Sequence, residues 1–275
     1  MNGRLAGALV ALAMVAQPVA AQAQKRVTIG LYAPTAPFIG PSQRLEYVTR
    51  LAEHLAAAAP GKRVVGRVFS RGSALTAAIN RGDVQFAVID APYAAARGLP
   101  YRVLAAATRG GSTLGTWMLV AKSSVRGLAD LKGKTVAIPR VGARTAAFVA
   151  NVLLEGEVST KYFAAIKRAA DAYSAVTLVG LGRAAAALVP SGVRLGRGVR
   201  RLVTLRGVHW PMLVATRGVS SALINRVRRR ALGFSGGSVL SGFTGATRSS
   251  FTACNRSRVV LKARSGCATR WTCRV

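Results

Sequence analysis

The residues best suited to chemistry follow a short apolar strand, Lys134 to Ile138, in the run Arg140-Val-Gly-Ala-Arg-Thr145. A strand leading through a glycine-bearing loop into an Ala/Val-rich helix, here Thr145 to about Leu154, is an anion site in the making. The first-turn N–H groups have no partners inside the helix, and its dipole adds partial positive charge there. Gly142 lets the backbone approach a ligand, Thr145 offers a hydroxyl, and Arg140 and Arg144 offer planar forks that match carboxylate, sulfonate or phosphonate. Either arginine could equally face water.

Further candidates come from the ends of other expected strands. Arg26 to Tyr32, Val64 to Phe69 and Asp83 to Asp90 read as strands. Between them lie a helix capped by Ser42 with apolar positions Leu45, Val48, Ala52 and Leu55, and a second over Ala74 to Asn80. Strand–helix alternation means βαβ units and a mainly parallel sheet, whose ligands sit at the carboxyl ends of strands. That rule selects Tyr32, the Ser70-Arg71-Gly72-Ser73 turn, and Asp90-Ala-Pro-Tyr93 as ligand contacts. Each has a plainer alternative: Tyr32 as packing, Ser73 as a helix cap, Asp90 as a turn holder.

No arrangement for catalysis surrounds these residues. His209 lies in Arg206-Gly-Val-His-Trp-Pro211 with no nucleophile–base set beside it, so it reads as structural or ligand-adjacent, with Trp210 plugging a joint. No paired carboxylates or metal-ligand cluster occur, so neither an enzyme, a cofactor nor a metal site is expected. Cys254, Cys267 and Cys273 match no common metal spacing, and an odd number cannot fully pair within one chain.

The charge balance is unusual: 40 Lys+Arg against 8 Asp+Glu gives a formal +32 over 275 residues. Asp171 is the last carboxylate. No RRM, KH, zinc-finger or basic-zipper pattern accompanies the arginines, so nucleic acid is not the expected partner. Residues 1–24 form a targeting segment, with Arg4 ahead of the apolar core Leu5 to Ala16 and a small-x-small cleavage site at Ala21-Gln-Ala23. The mature chain is expected to be soluble, exported to the periplasm, and monomeric.

The central stretch then runs Thr108-Arg-Gly-Gly-Ser112, a joint between strands Val103 to Ala107 and Thr116 to Ala121, into Lys122-Ser-Ser-Val-Arg-Gly-Leu-Ala-Asp-Leu-Lys-Gly-Lys-Thr-Val-Ala-Ile138. Gly110 and Gly111 could absorb backbone rotation. The Leu-x-Asp-Leu-Lys-Gly-Lys-Thr-Val-Ala element resembles the beginning of the second lobe in periplasmic solute-binding proteins of ABC transporters, in their phosphonate/sulfonate/transferrin-like group. Gly82-Asp-Val-Gln-Phe-Ala-Val-Ile-Asp-Ala-Pro-Tyr93 is similar to the group's Gly-x-x-Asp-x-Ala element. The likeness covers about residues 26–232.

The resemblance implies a type 2 α/β fold of two lobes joined by two crossing strands, a small anion clamped between them, and delivery to a membrane permease. It places lobe 1 at 25–110 and 206–232 and lobe 2 at 111–205. Where the phosphonate group has a Ser/Thr-rich loop, this chain has Val141-Gly-Ala-Arg-Thr145, with arginines largely in place of hydroxyls. A carboxylate that the family commonly carries after Gly182 is absent. Ser159 to Ala175 reads as helical and Val176 to Val179 as a strand. Residues 233–275 read as an irregular basic tail with the character of a reading-frame slip. The alternative function is a ligand-sensing periplasmic module that reports to a signalling partner.

Overall fold

The computed structural model describes residues 26–97, 101–142 and 144–246. The targeting segment, the three cysteines and the tail beyond residue 246 lie outside the described residues. Two sheets organise the chain. The first begins with β1 (Arg26–Tyr32), β2 (Arg63–Val68) and β3 (Phe86–Ile89), which pair in parallel with β1 in the middle. Helices α1 (Pro41–Leu55) and α2 (Gly72–Asn80) make the two crossovers, and α3 (Ala91–Arg97) leaves the end of β3.

Strand β4 (Arg102–Thr108) then runs out of the first sheet, and β5 (Leu114–Lys122) starts the second. The second lobe continues with β6 (Thr135–Pro139), the short α4 (Thr145–Ala147) prolonged as a π-helix over Phe148–Leu153, β7 (Ala165–Ala169), α5 (Ala172–Gly180), β8 (Ala186–Pro190) and the long β9 (Val199–His209). Finally β10 (Met212–Ala215), α6 (Ser221–Leu232) and β11 (Gly242–Gly245) return to the first. The strand orders are β11-β4-β10-β3-β1-β2 and β7-β6-β8-β5-β9. Parallel pairs come from the βαβ units, and the strands that carry the chain between lobes add antiparallel ones.

This is a two-lobed α/β fold of the type 2 binding-protein kind. Strands β1, β3, β6 and β8 are buried almost end to end, as expected of sheets covered on both faces. One apolar core lies between α1, α6 and the first sheet, and another joins α5 to the second. A third joins Tyr32, Tyr93 and Leu75 to Trp117, Phe148 and Val136, so it spans both lobes.

The local structure departs from the sequence reading in four places. Gly40, not Ser42, occupies the N-cap of α1, because Pro41 supplies a pre-set φ at the first helical position. The stretch read as helix up to Ala175 contains β7, and the expected strand Val176 to Val179 lies inside α5. The reason is Asp171, which caps α5 by accepting a hydrogen bond from the Ser174 amide at 2.8 Å. Strand β9 stays in the second sheet through His209, which lies opposite Leu114, so the return to the first sheet falls at Trp210-Pro211 rather than at residue 206. Packing also continues past residue 233. Phe234, Val239, Leu240 and Phe243 are buried, and β11 pairs antiparallel with β4.

The joint between lobes is compact. Arg109 and Ser112 exchange backbone hydrogen bonds across Gly110 and Gly111, whose φ values of 55° and 79° suit glycine. The Trp210 amide donates to the Thr113 carbonyl at 2.9 Å, tying one crossing to the other. The Trp210 ring, 4% exposed, fills the space a Gly115 side chain would need, and the Arg109 guanidinium lies over it. Trp210 therefore plugs the joint.

Candidate functional site

The first lobe's contribution is set by where β1 and β2 end. Tyr32 closes β1, and Tyr93 stands on the first turn of α3 with its ring 4.8 Å from that of Tyr32. Both rings lean on Gly72, the first residue of α2. A β-carbon there would approach the Tyr93 ring to 2.5 Å and the Tyr32 ring to 3.3 Å. The Tyr93 hydroxyl donates to the Gly72 carbonyl at 2.8 Å and lies 2.7 Å from the Thr76 hydroxyl. Arg71 takes the N-cap position of α2 in an extended conformation with no side-chain capping bond, so Ser73 is not a cap. The positive end of α2 thus opens beside Arg71 and Ser73.

The second lobe contributes the carboxyl ends of β6 and β7. Arg140 follows β6 and reaches across to the first lobe, donating from its guanidinium to the Ser70 carbonyl at 3.3 Å, while the Tyr32 hydroxyl meets the Arg140 carbonyl at 3.5 Å. Gly142 has φ 106°, a conformation a side chain would strain. Arg168 comes from β7, paired in register with Ile138.

Together Tyr32, Arg71, Gly72, Ser73, Tyr93, Arg140, Gly142 and Arg168 line a cleft of about 510 Å³ between the lobes. That size lies within the range of roughly 300–1,000 Å³ usual for small-molecule sites. None of the eight carboxylates in the chain lines it among the described residues. Burial, with the charge of Asp90 nearby, pushes the Tyr32 hydroxyl up to about 12, so it stays a neutral donor.

Of the residues the sequence singled out, Tyr32, Arg71, Ser73, Tyr93, Arg140 and Gly142 meet at this cleft. Ser70 contributes its carbonyl to Arg140 rather than a hydroxyl to the cavity. Arg144 is exposed and does not line the cleft. Thr145 is 7% exposed, and its hydroxyl turns back to the Gly142 carbonyl at 2.7 Å. Of the stretch from Arg140 to Thr145, Arg140 and Gly142 line the cleft. His209 lies on β9 and does not line the cleft.

Asp90 does not line it either. It is 1% exposed, and its carboxylate accepts a 2.8 Å bond from the Thr35 amide, holding the loop after β1. Burial raises its pKa to about 7, against the lowering effect of that bond and of Arg44.

Two contributors escaped the sequence reading. Arg168 lies on β7, a segment the sequence pattern reads as helix, although Ala165-Ile-Lys-Arg-Ala169 carries the β-branched residue of an edge strand. Arg44 on α1 and Asp171 at the start of α5 form an ion pair of 2.8 Å from lobe to lobe, with side chains 13% and 16% exposed. No group of His, Cys, Asp and Glu among the described residues could hold a metal, and no described helix is long and apolar enough to cross a membrane.

Comparison with known proteins agrees with this geometry. The profile of the family described as the phosphonate periplasmic substrate-binding protein of ABC transporters matches residues 35–256. No curated protein sequence matches the chain. Among solved structures, the binding-protein component of an ABC phosphonate transporter from Pseudomonas aeruginosa superposes with a TM-score of 0.66 at 13% identity, covering 85% of each chain. PhnD1 from Prochlorococcus marinus in complex with methylphosphonate gives 0.63 at 13% identity, over 85% of this chain and 97% of that one. A Xanthomonas citri protein bound to ATP gives 0.62 at 14% identity, over 85% of this chain and 98% of that one. At such identities the structures speak for the fold, and the profile speaks for the lineage. With a cleft lined by arginines between two hinged α/β lobes, the chain belongs to the phosphonate-type periplasmic substrate-binding proteins of ABC transporters.

Proposed function

We propose that the mature protein, freed of its targeting segment near Ala23, works in the periplasm as a monomer that captures a phosphonate-, phosphate- or sulfonate-like anion and presents it to its permease. The observation that carries this is the cleft itself, which Arg71, Arg140 and Arg168 line from both lobes and which no carboxylate lines among the described residues. A ligand with negative charge is what such a surface binds, through charge-assisted hydrogen bonds and the positive end of α2. The proposed ligand contacts are Tyr32, Arg71, Ser73, Tyr93, Arg140, Gly142 and Arg168. Closure of the lobes about the Arg109–Ser112 and Trp210–Pro211 crossings would enclose the ligand.

Monomeric behaviour is supported by the scatter of the exposed large apolar side chains, Ile39, Leu45, Leu114, Leu181 and Leu232, which lie on different elements and loops. Nucleic acid is not a proposed partner, since no recognition motif accompanies the basic residues. Thermal-shift measurements on the mature protein against methylphosphonate, phosphate, alkanesulfonates, carboxylates and neutral sugars test the reading. A ligand that binds only the folded form must raise the unfolding midpoint. Phosphorus or sulfur oxyanions should do so and sugars should not; a flat response across all anions would overturn it.

A further inference from the structure

We propose that the ligand carries two anionic groups, a phosphonate- or phosphate-type head and a second acidic group on a short organic linker, and that it lacks an ammonium. The proposal rests on the reading of the cleft as an anion site and narrows it. Arg71, Arg140 and Arg168 bring three guanidinium groups to one cavity from three different elements. Guanidinium stays charged at any physiological pH, so none of this charge can be shed by releasing a proton.

Five of the chain's eight carboxylates are engaged elsewhere. Asp171 is bonded to Arg44 and Asp83 to Arg81, while Glu46 lies 3.9 Å from Arg50. Asp130 accepts the backbone amide of Arg126, and Asp90 is buried on Thr35. None of the eight lines the cavity among the described residues, so a ligand that carries negative charge is what complements the arginines there.

The placement of the arginines divides them into two poles. Arg140 follows β6, but its guanidinium reaches across to the Ser70 carbonyl, next to Arg71 at the positive end of α2. Arg168 lies on β7 of the second lobe, so one pole is Arg71 with Arg140 and the other is Arg168. One oxyanion head satisfies one of these poles and leaves the other uncompensated.

The cavity of about 510 Å³ gives room for a linker between them, and more than methylphosphonate would fill. The contacts Arg140–Ser70, Tyr32–Arg140 and Arg44–Asp171 already join the lobes around this space. An aminoalkylphosphonate would bring its ammonium into a cavity lined by cations and by no carboxylate among the described residues, a like-charge contact that selects against it.

Isothermal titration of the mature protein with methylphosphonate, 2-aminoethylphosphonate and 3-phosphonopropionate tests this. We expect 3-phosphonopropionate to bind about tenfold or more tighter than methylphosphonate, the worth of one further charge-assisted contact, with 2-aminoethylphosphonate the weakest. Arg71→Gln and Arg168→Gln, checked for unchanged circular dichroism, should each erase most of that advantage while methylphosphonate loses less.

Equal or tighter binding of methylphosphonate, or tightest binding of 2-aminoethylphosphonate, would overturn the inference and leave the anion site standing. Absence of binding by all three, together with silence from the wider anion panel, would remove the anion site and this inference with it.

Discussion

The Arg44 guanidinium and the Asp171 carboxylate meet at 2.8 Å although α1 and α5 belong to different lobes. Asp171 also caps α5 through the Ser174 amide, so the carboxylate holds a helix end with one oxygen and the opposite lobe with the other. Its burial alone would raise its pKa, but the bonds from Ser174 and Arg44 outweigh this and hold it below the ordinary value of 3.8. A depressed carboxylate stabilises above its unfolded pKa, and the contribution is lost as pH falls through the folded one. The lobe-to-lobe tie should therefore hold across the neutral range and release only in strong acid.

Arg44→Met removes the tie and keeps the helix cap. We expect small-angle scattering of the ligand-free variant to show a larger radius of gyration, and anion affinity to fall by roughly threefold to tenfold as open states gain population. An unchanged radius with unchanged affinity would show that the pair does not bias closure.

The buried carboxylate of Asp90 imposes the opposite dependence. With its pKa raised to about 7 from 3.8, the folded state holds a proton that the unfolded state releases between those values. Stability should fall as pH rises from about 4 to 7 on this account and level off above. Urea unfolding at intervals across that window should reveal the slope, and Asp90→Asn should flatten it.

Gly72 faces two aromatic rings at the mouth of α2. Gly72→Ala places a methyl 2.5 Å from the Tyr93 ring, so the ring or the start of the helix must move. We expect a cost of about 1–3 kcal/mol in stability, typical of overpacking. Anion affinity should also fall, because α2 presents its amides from this point. Calorimetric unfolding and titration on the same variant would separate the two effects.

At the joint, Gly115→Ala would drive a methyl into the Trp210 ring, whose nearest atoms include one 2.6 Å away. Displacement of that ring toward water should shift tryptophan emission to longer wavelength. A ligand-induced emission change that persists unaltered would argue that Trp210 takes no part in the bending.

Phe243, 6% exposed on β11, packs in the core that α1 and α6 share. Phe243→Ala should cost about 3–5 kcal/mol, the usual range for a buried phenylalanine. A near-neutral result would mean that the strand is dispensable.

What the sequence could reveal depended on how local the physics was. Strands β1, β3 and β6 declare themselves because each is an apolar run bounded by turn residues, and the cleft's Tyr32, Arg71 and Arg140 follow from where such strands stop. Strand β7 is an edge strand in which Ala165, Lys167 and Arg168 are exposed, Arg168 on the cleft, so it lacks the apolar face that would mark it as extended. The direction of Thr145 was set by a hydroxyl folding back on Gly142, and the fate of Asp90 by burial under Tyr32 and Thr35. The partnership of Arg44 with Asp171 joins residues 127 positions apart, a separation no local pattern bridges.

The order of strands in the first sheet also governs how the chain can be completed as it emerges. Strand β10 lies between β3 and β4, and β11 borders β4 on the other side. Until residues beyond 212 have left the ribosome, β4 has no neighbour on either flank, so the first lobe cannot be finished before the whole second lobe has been synthesised. Pairing of β4 with either neighbour thus waits for the last third of the chain, and a fold completed this late suits a polypeptide that must be threaded across a membrane before it sets.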